Sequence, residues 1–203
     1  MVKICDFKGV CEDHSYAQLE CYFNFKYIDN LAYQYSGLRS YIKKHYPYYL
    51  CSGPIHKSAI WMGTLYRDKI DSGYIVDVSL GHVDHQVGYG LYAEQAIKKD
   101  SYIGEYVGLL CSRSRLFNNS DDYCFRYPTH WGSWKSLMID SSDYGNLTRF
   151  INHGDKPNLE TFYVIIDDIV HVCFLATRDI KFGEQLTFNY GNNYWHNRYR
   201  VDN

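Results

Sequence analysis

The chain has 203 residues, 21 Lys and Arg against 23 Asp and Glu, and a formal charge of −2, a length suited to one core with an extension rather than two domains. That balance excludes a generic polycationic coat for nucleic acid, whose affinity scales with the cations set against phosphate, and leaves open a protein acting on a basic partner. Hydrophobic residues at 46% and charged residues at 22% exclude a disordered chain.

Residues 1–10 (MVKICDFKGV) contain no apolar block of signal-peptide length, and no stretch reaches a membrane span. The longest apolar run, residues 162–176, is broken by Asp167, Asp168 and His171, so a soluble protein without membrane contact is expected. Seven cysteines without a CxxC predict neither a disulfide framework nor a zinc knuckle, but free thiols in a reducing compartment. Residues 1–72 carry one helical pattern: Leu31, Tyr35, Leu38 and Ile42, capped by Asp29 or Asn30 and stopped by Pro47. The aromatic clusters around it, Tyr22-Phe23 and Tyr46-Pro47-Tyr48-Tyr49, hold no chemical motif. This region is expected to be an accessory layer on the main domain. After residue 72 the texture changes to short β-like runs at 74–78, 101–107 and 137–140. Residues 161–166 and 169–175 form the best hairpin, with Asp167-Asp168 at its tip. No strand alternates with a long helix, which excludes a doubly wound sheet. The expected organisation is an N-terminal region over 1–72, a main domain over 73–195 with a polar, aromatic insert at 112–136, and a tail at 196–203.

Three stretches could carry chemistry. Gly88-Tyr89-Gly90 lets backbone approach a ligand and frees N–H groups toward it, but lacks the third glycine of a dinucleotide site. Arg149-Phe150-Ile151-Asn152-His153-Gly154-Asp155-Lys156-Pro157-Asn158 brings an Asn-His pair to Gly and Pro-Asn turn chemistry. Gly183-Glu184-Gln185-Leu186-Thr187-Phe188-Asn189-Tyr190-Gly191 is a turn entering a short strand that ends on tyrosine. Singly, each also reads as ordinary turn or core. His82 and His85 look like a metal pair, yet lack further ligands at sensible spacing and read as surface loop. Glu105 and Glu184 read as structural turn partners.

In this order, and with Glu105-Tyr106-Val107-Gly108 between them, these motifs resemble the SET-domain protein lysine methyltransferases over about three-fifths of the chain. The resemblance implies a mainly β fold with few short helices: small, mostly antiparallel sheets, a C-terminal pseudoknot in which the Asn152 segment and the tail near Tyr190 thread past each other, and a partly helical N-terminal extension. It implies S-adenosylmethionine on one face and a substrate lysine entering a narrow channel from the other. Its motifs assign Tyr190 and Tyr106 to catalysis. They assign Tyr106, Phe125, Phe188, Tyr190 and Trp195 to the lysine channel. Gly88, Tyr89, Gly90, Tyr123, Arg149, Phe150, Asn152, His153 and Trp195 match cofactor contacts. The chemistry suits these residue types, because a ring-lined channel disfavours the charged ammonium that cannot attack, and ring faces tolerate a methylated cation. The 22 tyrosines agree with such a site, although most must be structural. Phe188, two residues before Tyr190, stands where the family has a switch: tyrosine restricts the product to monomethyl-lysine, phenylalanine permits di- or trimethylation.

Three departures bear on this. Gly154-Asp155 follows Asn-His where Ser-Cys is common, Asn189 replaces the usual Asp, and no cysteine follows Cys173. No pre-SET or post-SET zinc cluster is therefore expected, and no metal. The partner implied is a lysine-bearing protein or peptide, with a histone tail favoured. A non-histone protein lysine, a catalytically weak peptide-binding module and a non-protein amine stand as alternatives. A histone substrate would place the protein in a nucleus. Oligomeric state stays open, and no direct nucleic-acid site is evident.

Overall fold

The computed structural model of the chain describes residues 1–50, 54–112, 122–128 and 137–191. Strands β1 (Val2–Cys5) and β2 (Cys11–His14) open it as a hairpin. Asp6 Oδ1 turns the corner by accepting the N–H groups of Lys8 and Val10 at 2.8 and 2.9 Å. Cys5 and Cys11 are register partners across this hairpin, their Cα atoms 4.0 Å apart, and are joined by a disulfide. The expectation of free thiols fails for this pair, because strand register, which spacing does not reveal, sets them opposite each other. Cys173 is a buried free thiol.

Helix α1 (Tyr16–Phe23) starts on a capping box: Ser15 accepts the Gln18 N–H while the Gln18 side chain accepts the Ser15 N–H. It ends at Asn24 in the left-handed region (φ 50°). Strands β3 (Lys26–Tyr27) and β4 (Ala32–Tyr33) and helices α2 (Ser36–Leu50) and α3 (Pro54–Asp71) follow. The predicted helix over residues 31–42 is thus corrected at both ends. Leu38 and Ile42 are buried on α2, but residues 32–33 are a strand, and α2 runs through Pro47. A proline removes one backbone donor, which need not end a helix held elsewhere. Helix α3 escaped the sequence reading because exposed Trp61 and Leu65, apolar residues off the buried stripe of Ala59, Met62, Tyr66 and Ile70, blur its periodicity. Pro54 occupies its first position, where a missing N–H costs nothing. At Gly63 a Cβ would lie 2.1 Å from the Ile165 carbonyl oxygen, so this helix rests directly on strand backbone.

The remaining strands are β5 (Val78–Asp84), β6 (Gly88–Ala93), β7 (Tyr102–Glu105), β8 (Leu109–Ser112), β9 (Cys124–Arg126), β10 (Leu137–Asp140), β11 (Tyr144–Gly145), β12 (Asn152–His153), β13 (Leu159–Ile166), β14 (Ile169–Ala176) and β15 (Thr187–Phe188). They make small sheets in the orders β2-β1-β5-β6, β4-β8-β10-β9, β13-β14-β7, β11-β3 and β12-β15. The architecture is mainly β with three helices, as the motifs imply. Neighbours in sequence pair antiparallel, whereas β1–β5, β4–β8, β3–β11 and β12–β15 pair parallel. Three of these parallel pairings insert N-terminal strands into the sheets of the rest, more than a layer laid on top. The β13–β14 tip is as expected: Asp167 and Asp168 both have positive φ (49° and 63°), which a two-residue hairpin turn requires. The strand expected at 74–78 instead begins at Val78. Leu80, Leu91, Ile103, Leu110, Val172 and Phe174 are fully buried between the sheets. No helix among the described residues is long and apolar enough to cross a membrane.

Candidate active site

The β5–β6 corner is built by Asp84, whose Oδ1 accepts the Val87 and Gln86 N–H groups at 2.6 and 2.7 Å. These donors hold its carboxyl below the ordinary range. The chain leaves the corner at Gly88 with φ 79°, where a Cβ would meet nothing within 4 Å. This glycine turn borders open space. Gly90 is the opposite case: a Cβ would lie 2.4 Å from Gln185 Nε2 and 3.1 Å from Asn152 Nδ2, so glycine is needed for close approach. Asn152 Nδ2 donates to the Tyr89 carbonyl at 3.1 Å, tying the first candidate cofactor segment to the second. Burial, followed by a 2.6 Å contact with the Tyr22 hydroxyl, pushes the Tyr89 phenol up to about 12.

The second segment enters through a 3₁₀ turn (Leu147–Phe150) capped by Asn146, whose side chain accepts the Thr148 N–H at 3.1 Å. Asn146 Nδ2 and Thr148 Oγ1 each donate to the Glu105 carbonyl at 3.0 Å, which anchors the strand end carrying Tyr106. β12 then runs beside β15, with Asn152 opposite Thr187 and His153 opposite Phe188. This pairing juxtaposes the two segments expected to cross. The Tyr190 N–H donates to His153 Nδ1 at 3.2 Å, and the Tyr190 hydroxyl donates to the Ile151 carbonyl at 2.9 Å. Asn158, 1% exposed, fastens the crossing. Its Oδ1 accepts the Thr187 N–H at 2.9 Å, and its Nδ2 donates to the Gln185 carbonyl at 2.8 Å and to Glu184 Oε1 at 3.2 Å. The Arg178 guanidinium beside Glu184 lowers that carboxyl to about 2. Glu105 pairs with His171 at 2.7 Å. Glu184 is a turn partner as expected, accepting the Lys181 N–H at 3.1 Å, whereas Glu105 lies on strand β7 rather than in a turn.

The proposed channel residues form one connected set of rings. Tyr106 lies 5.5 Å from Phe125, Phe125 lies 6.4 Å from Phe188 with planes inclined by 30°, and Phe188 lies 4.8 Å from Tyr190. The Tyr106 hydroxyl donates to the Tyr123 carbonyl at 2.6 Å, and burial pushes this phenol well above its usual range. Phe174 backs the set, 5.0 Å from Phe188 and 6.3 Å from Tyr106. No sequence signal separates it from its apolar neighbours on β14. Asn146 and Gln185 were missed likewise; only the Asn146-Leu147-Thr148 capping pattern could have flagged the first.

Arg149 is spent inside the fold. Its Nε and Nη2 donate to the Ser141 and Ser142 carbonyls at 2.8 and 3.2 Å, and its guanidinium lies between the rings of Tyr123 (4.1 Å) and Phe25 (4.4 Å). Burial lowers its pKa. Phe150 is buried against Phe23 and Phe25. Trp195 lies outside the described residues, as does most of the expected insert. His82 is a β5 residue rather than part of a loop, with its ring 5.5 Å from Tyr89 and 5.7 Å from His85. Among the described residues no group of three or more His, Cys, Asp or Glu is placed to hold a metal ion.

The SET-domain family model matches residues 88–191, just over half of the chain. Histone-lysine N-methyltransferase SUV39H2 of Xenopus tropicalis is 31% identical over 129 residues, covering 60% of this chain and 32% of that protein. EHMT1 of Homo sapiens is 37% identical over 114 residues, 54% of this chain and 9% of the relative. A crystal structure of an active polycomb repressive complex 2 in the basal state superposes with a TM-score of 0.55 at 31% identity, over 62% of this chain and 16% of that one. The chain therefore spans a third or less of the length of these relatives. The ordered motifs, the parallel pairing of residues 152–153 with 187–188, and the family match agree: this chain belongs to the SET-domain family.

Proposed function

We propose that the protein methylates the ε-amino group of a lysine in another protein, using S-adenosylmethionine, with a histone tail as the substrate class. The names of its relatives, histone-lysine N-methyltransferases, support the substrate class. The observation that carries the reaction type is the pair of anchored hydroxyls joined by one connected set of rings: Tyr106 on the Tyr123 carbonyl and Tyr190 on the Ile151 carbonyl. The open space at Gly88, where a Cβ would touch nothing, and the Asn152 tie to Tyr89 fit the cofactor. Gly88, Tyr89, Gly90, Asn152 and His153 would hold it, with Tyr123 and Trp195 as further walls. When bound, S-adenosylmethionine supplies an electrophilic sulfonium methyl.

The protein's own work is positioning. Rings of Tyr106, Phe125, Phe188 and Tyr190 exclude water and raise the cost of an ammonium, favouring the neutral amine whose lone pair attacks. Each tyrosine hydroxyl has its proton on a backbone carbonyl, so toward the substrate its oxygen is an acceptor. An amine N–H donated to that oxygen turns the nitrogen lone pair along the reaction axis. Ring faces accommodate the methylated cation that forms. Phe188 brings no hydroxyl to hold a water beside the amine, which leaves room for a methylated nitrogen to rotate and react again. A histone substrate would place this activity in a nucleus.

Radiolabelled methyl transfer onto core histones, a broad protein lysate and a free alkylamine tests this directly. Label on histone lysine is expected. Label confined to other proteins would move the substrate class, label on the free amine alone would remove protein lysine, and peptide binding without transfer would make the chain a reader.

A further inference from the structure

Helix α1 and the turn after it precede the matched residues 88–191, yet they reach both candidate cofactor segments. The capping box fixes where α1 starts, and Asn24, at φ 50°, turns the chain sharply at its end. That turn presents two rings to one target: Phe23 and Phe25 lie 4.7 and 6.1 Å from Phe150. Phe23 also meets Tyr89 edge to face at 5.0 Å, and the Tyr22 hydroxyl sits 2.6 Å from that of Tyr89. Phe25 lies under the Arg149 guanidinium at 4.4 Å. The chain then enters β3, which pairs with β11 just ahead of the 3₁₀ turn, and the Tyr27 N–H is held by Glu20 Oε1 at 2.9 Å. Residues 15–27 are thus pinned at both ends, with their rings wedged between the glycine turn and the Phe150 segment.

We infer that Phe23, flanked by Tyr22 and Phe25, is a positioning residue that sets the spacing between the 88–90 turn and the 150–152 segment, and through it the affinity for S-adenosylmethionine. The inference rests on the cofactor reading proposed for these segments. A hydrogen bond such as that from Asn152 to the Tyr89 carbonyl fixes the backbone at one point. It does not fix the tilt of the Tyr89 ring. A ring in contact with Tyr89 and Phe150 together does, because close-packed side chains resist displacement. Without the Phe23 ring the two segments can relax toward each other, and the glycine turn moves relative to Asn152. Small misplacements of a binding group are costly in just this way.

The test uses the full chain. Phe23→Ala should raise the dissociation constant for S-adenosylmethionine in calorimetry, and its KM, by about tenfold, while peptide KM and kcat at saturating cofactor stay within about threefold. Phe23→Tyr, which keeps the ring, should stay within about threefold of wild type, and Phe23→Leu serves if the alanine variant does not fold. Phe162→Ala is the control: its ring contacts Tyr66 and Tyr102 and neither cofactor segment. It should lower the melting temperature and leave cofactor affinity unchanged. Equal affinity losses in both alanine variants at matched melting temperature, or no loss in Phe23→Ala, overturn the inference while leaving the cofactor reading intact. A wild-type chain that binds no S-adenosylmethionine overturns both.

Discussion

Asn158→Ala removes the side chain that fastens the crossing of the two site segments. Two neutral partners, the Thr187 N–H and the Gln185 carbonyl, and one charged partner, Glu184, lose their bonds inside a side-chain site that is 1% exposed. At about 1 kcal/mol for each neutral bond and about 1.5 kcal/mol or more for the charged one, the loss is about 3–4 kcal/mol. For a chain of this size 1 kcal/mol moves the melting temperature by about 2–4 °C, so a fall of about 6–16 °C is expected. Circular dichroism melting of the full chain reads it, with urea unfolding as a check on the free energy. Asn158→Asp should recover little at neutral pH: it keeps the acceptor for Thr187 but loses both donors and sets a second carboxylate beside Glu184. Methyl transfer should fail at the temperature where either variant melts, because the same crossing carries Asn152 and Tyr190. A shift under about 2 °C for Asn158→Ala would refute the reasoning, showing that water or neighbouring groups replace all three bonds.

Tyr190→Phe should lower turnover by about a hundredfold or more with cofactor affinity near normal. Loss of its bond to the Ile151 carbonyl should also cost about 1 kcal/mol of stability; near-wild-type turnover would remove Tyr190 from catalysis. Asn152→Ala leaves the Tyr89 carbonyl without that donor and should weaken S-adenosylmethionine binding by about 1–3 kcal/mol, whereas an unchanged dissociation constant would place the cofactor elsewhere. Mass spectrometry of a methylated peptide over time should show products beyond monomethyl-lysine, shifting toward monomethyl in Phe188→Tyr; a wild-type enzyme that stops at one methyl under excess cofactor sinks the role given to Phe188. Glu184 has its folded-state pKa lowered from 4.5 to about 2, so its contribution to stability is present above pH 4.5 and is lost as the pH falls toward 2. Melting of Glu184→Gln across that window should be less pH-dependent than wild type, and parallel curves would mean the Arg178 pair is broken in solution.

What could be read along the chain was whatever local chemistry dictates. Asp167-Asp168 is a turn because two consecutive positive-φ residues between alternating apolar runs have few other uses. The motifs around Gly88, Asn152 and Tyr190 carried the family because glycine, asparagine and tyrosine at those spacings were present whatever the fold did with them. The helix over residues 31–42 was misread because Leu31 fits a helical period equally well while lying beside a strand, and periodicity says nothing of a partner 77 positions away, such as Leu109 opposite Ala32. The same limit hid the ring of Phe174 behind Phe188 and Tyr106, and the three side-chain hydrogen bonds of Asn158, of which only the Pro157-Asn158 turn signal was visible; strand register hid the Cys5–Cys11 pairing. Sequence alone determined the family, the β-rich class and the identity of the polar and aromatic groups, since these depend on residue type and short spacing. Only the tertiary structure decided that Arg149 is used up between Tyr123 and Phe25, that the Tyr106 and Tyr190 hydroxyls each rest on a carbonyl, and that Phe23 reaches both site segments. Those are distances between residues far apart in the chain, set by parallel pairings and packing that no local pattern encodes.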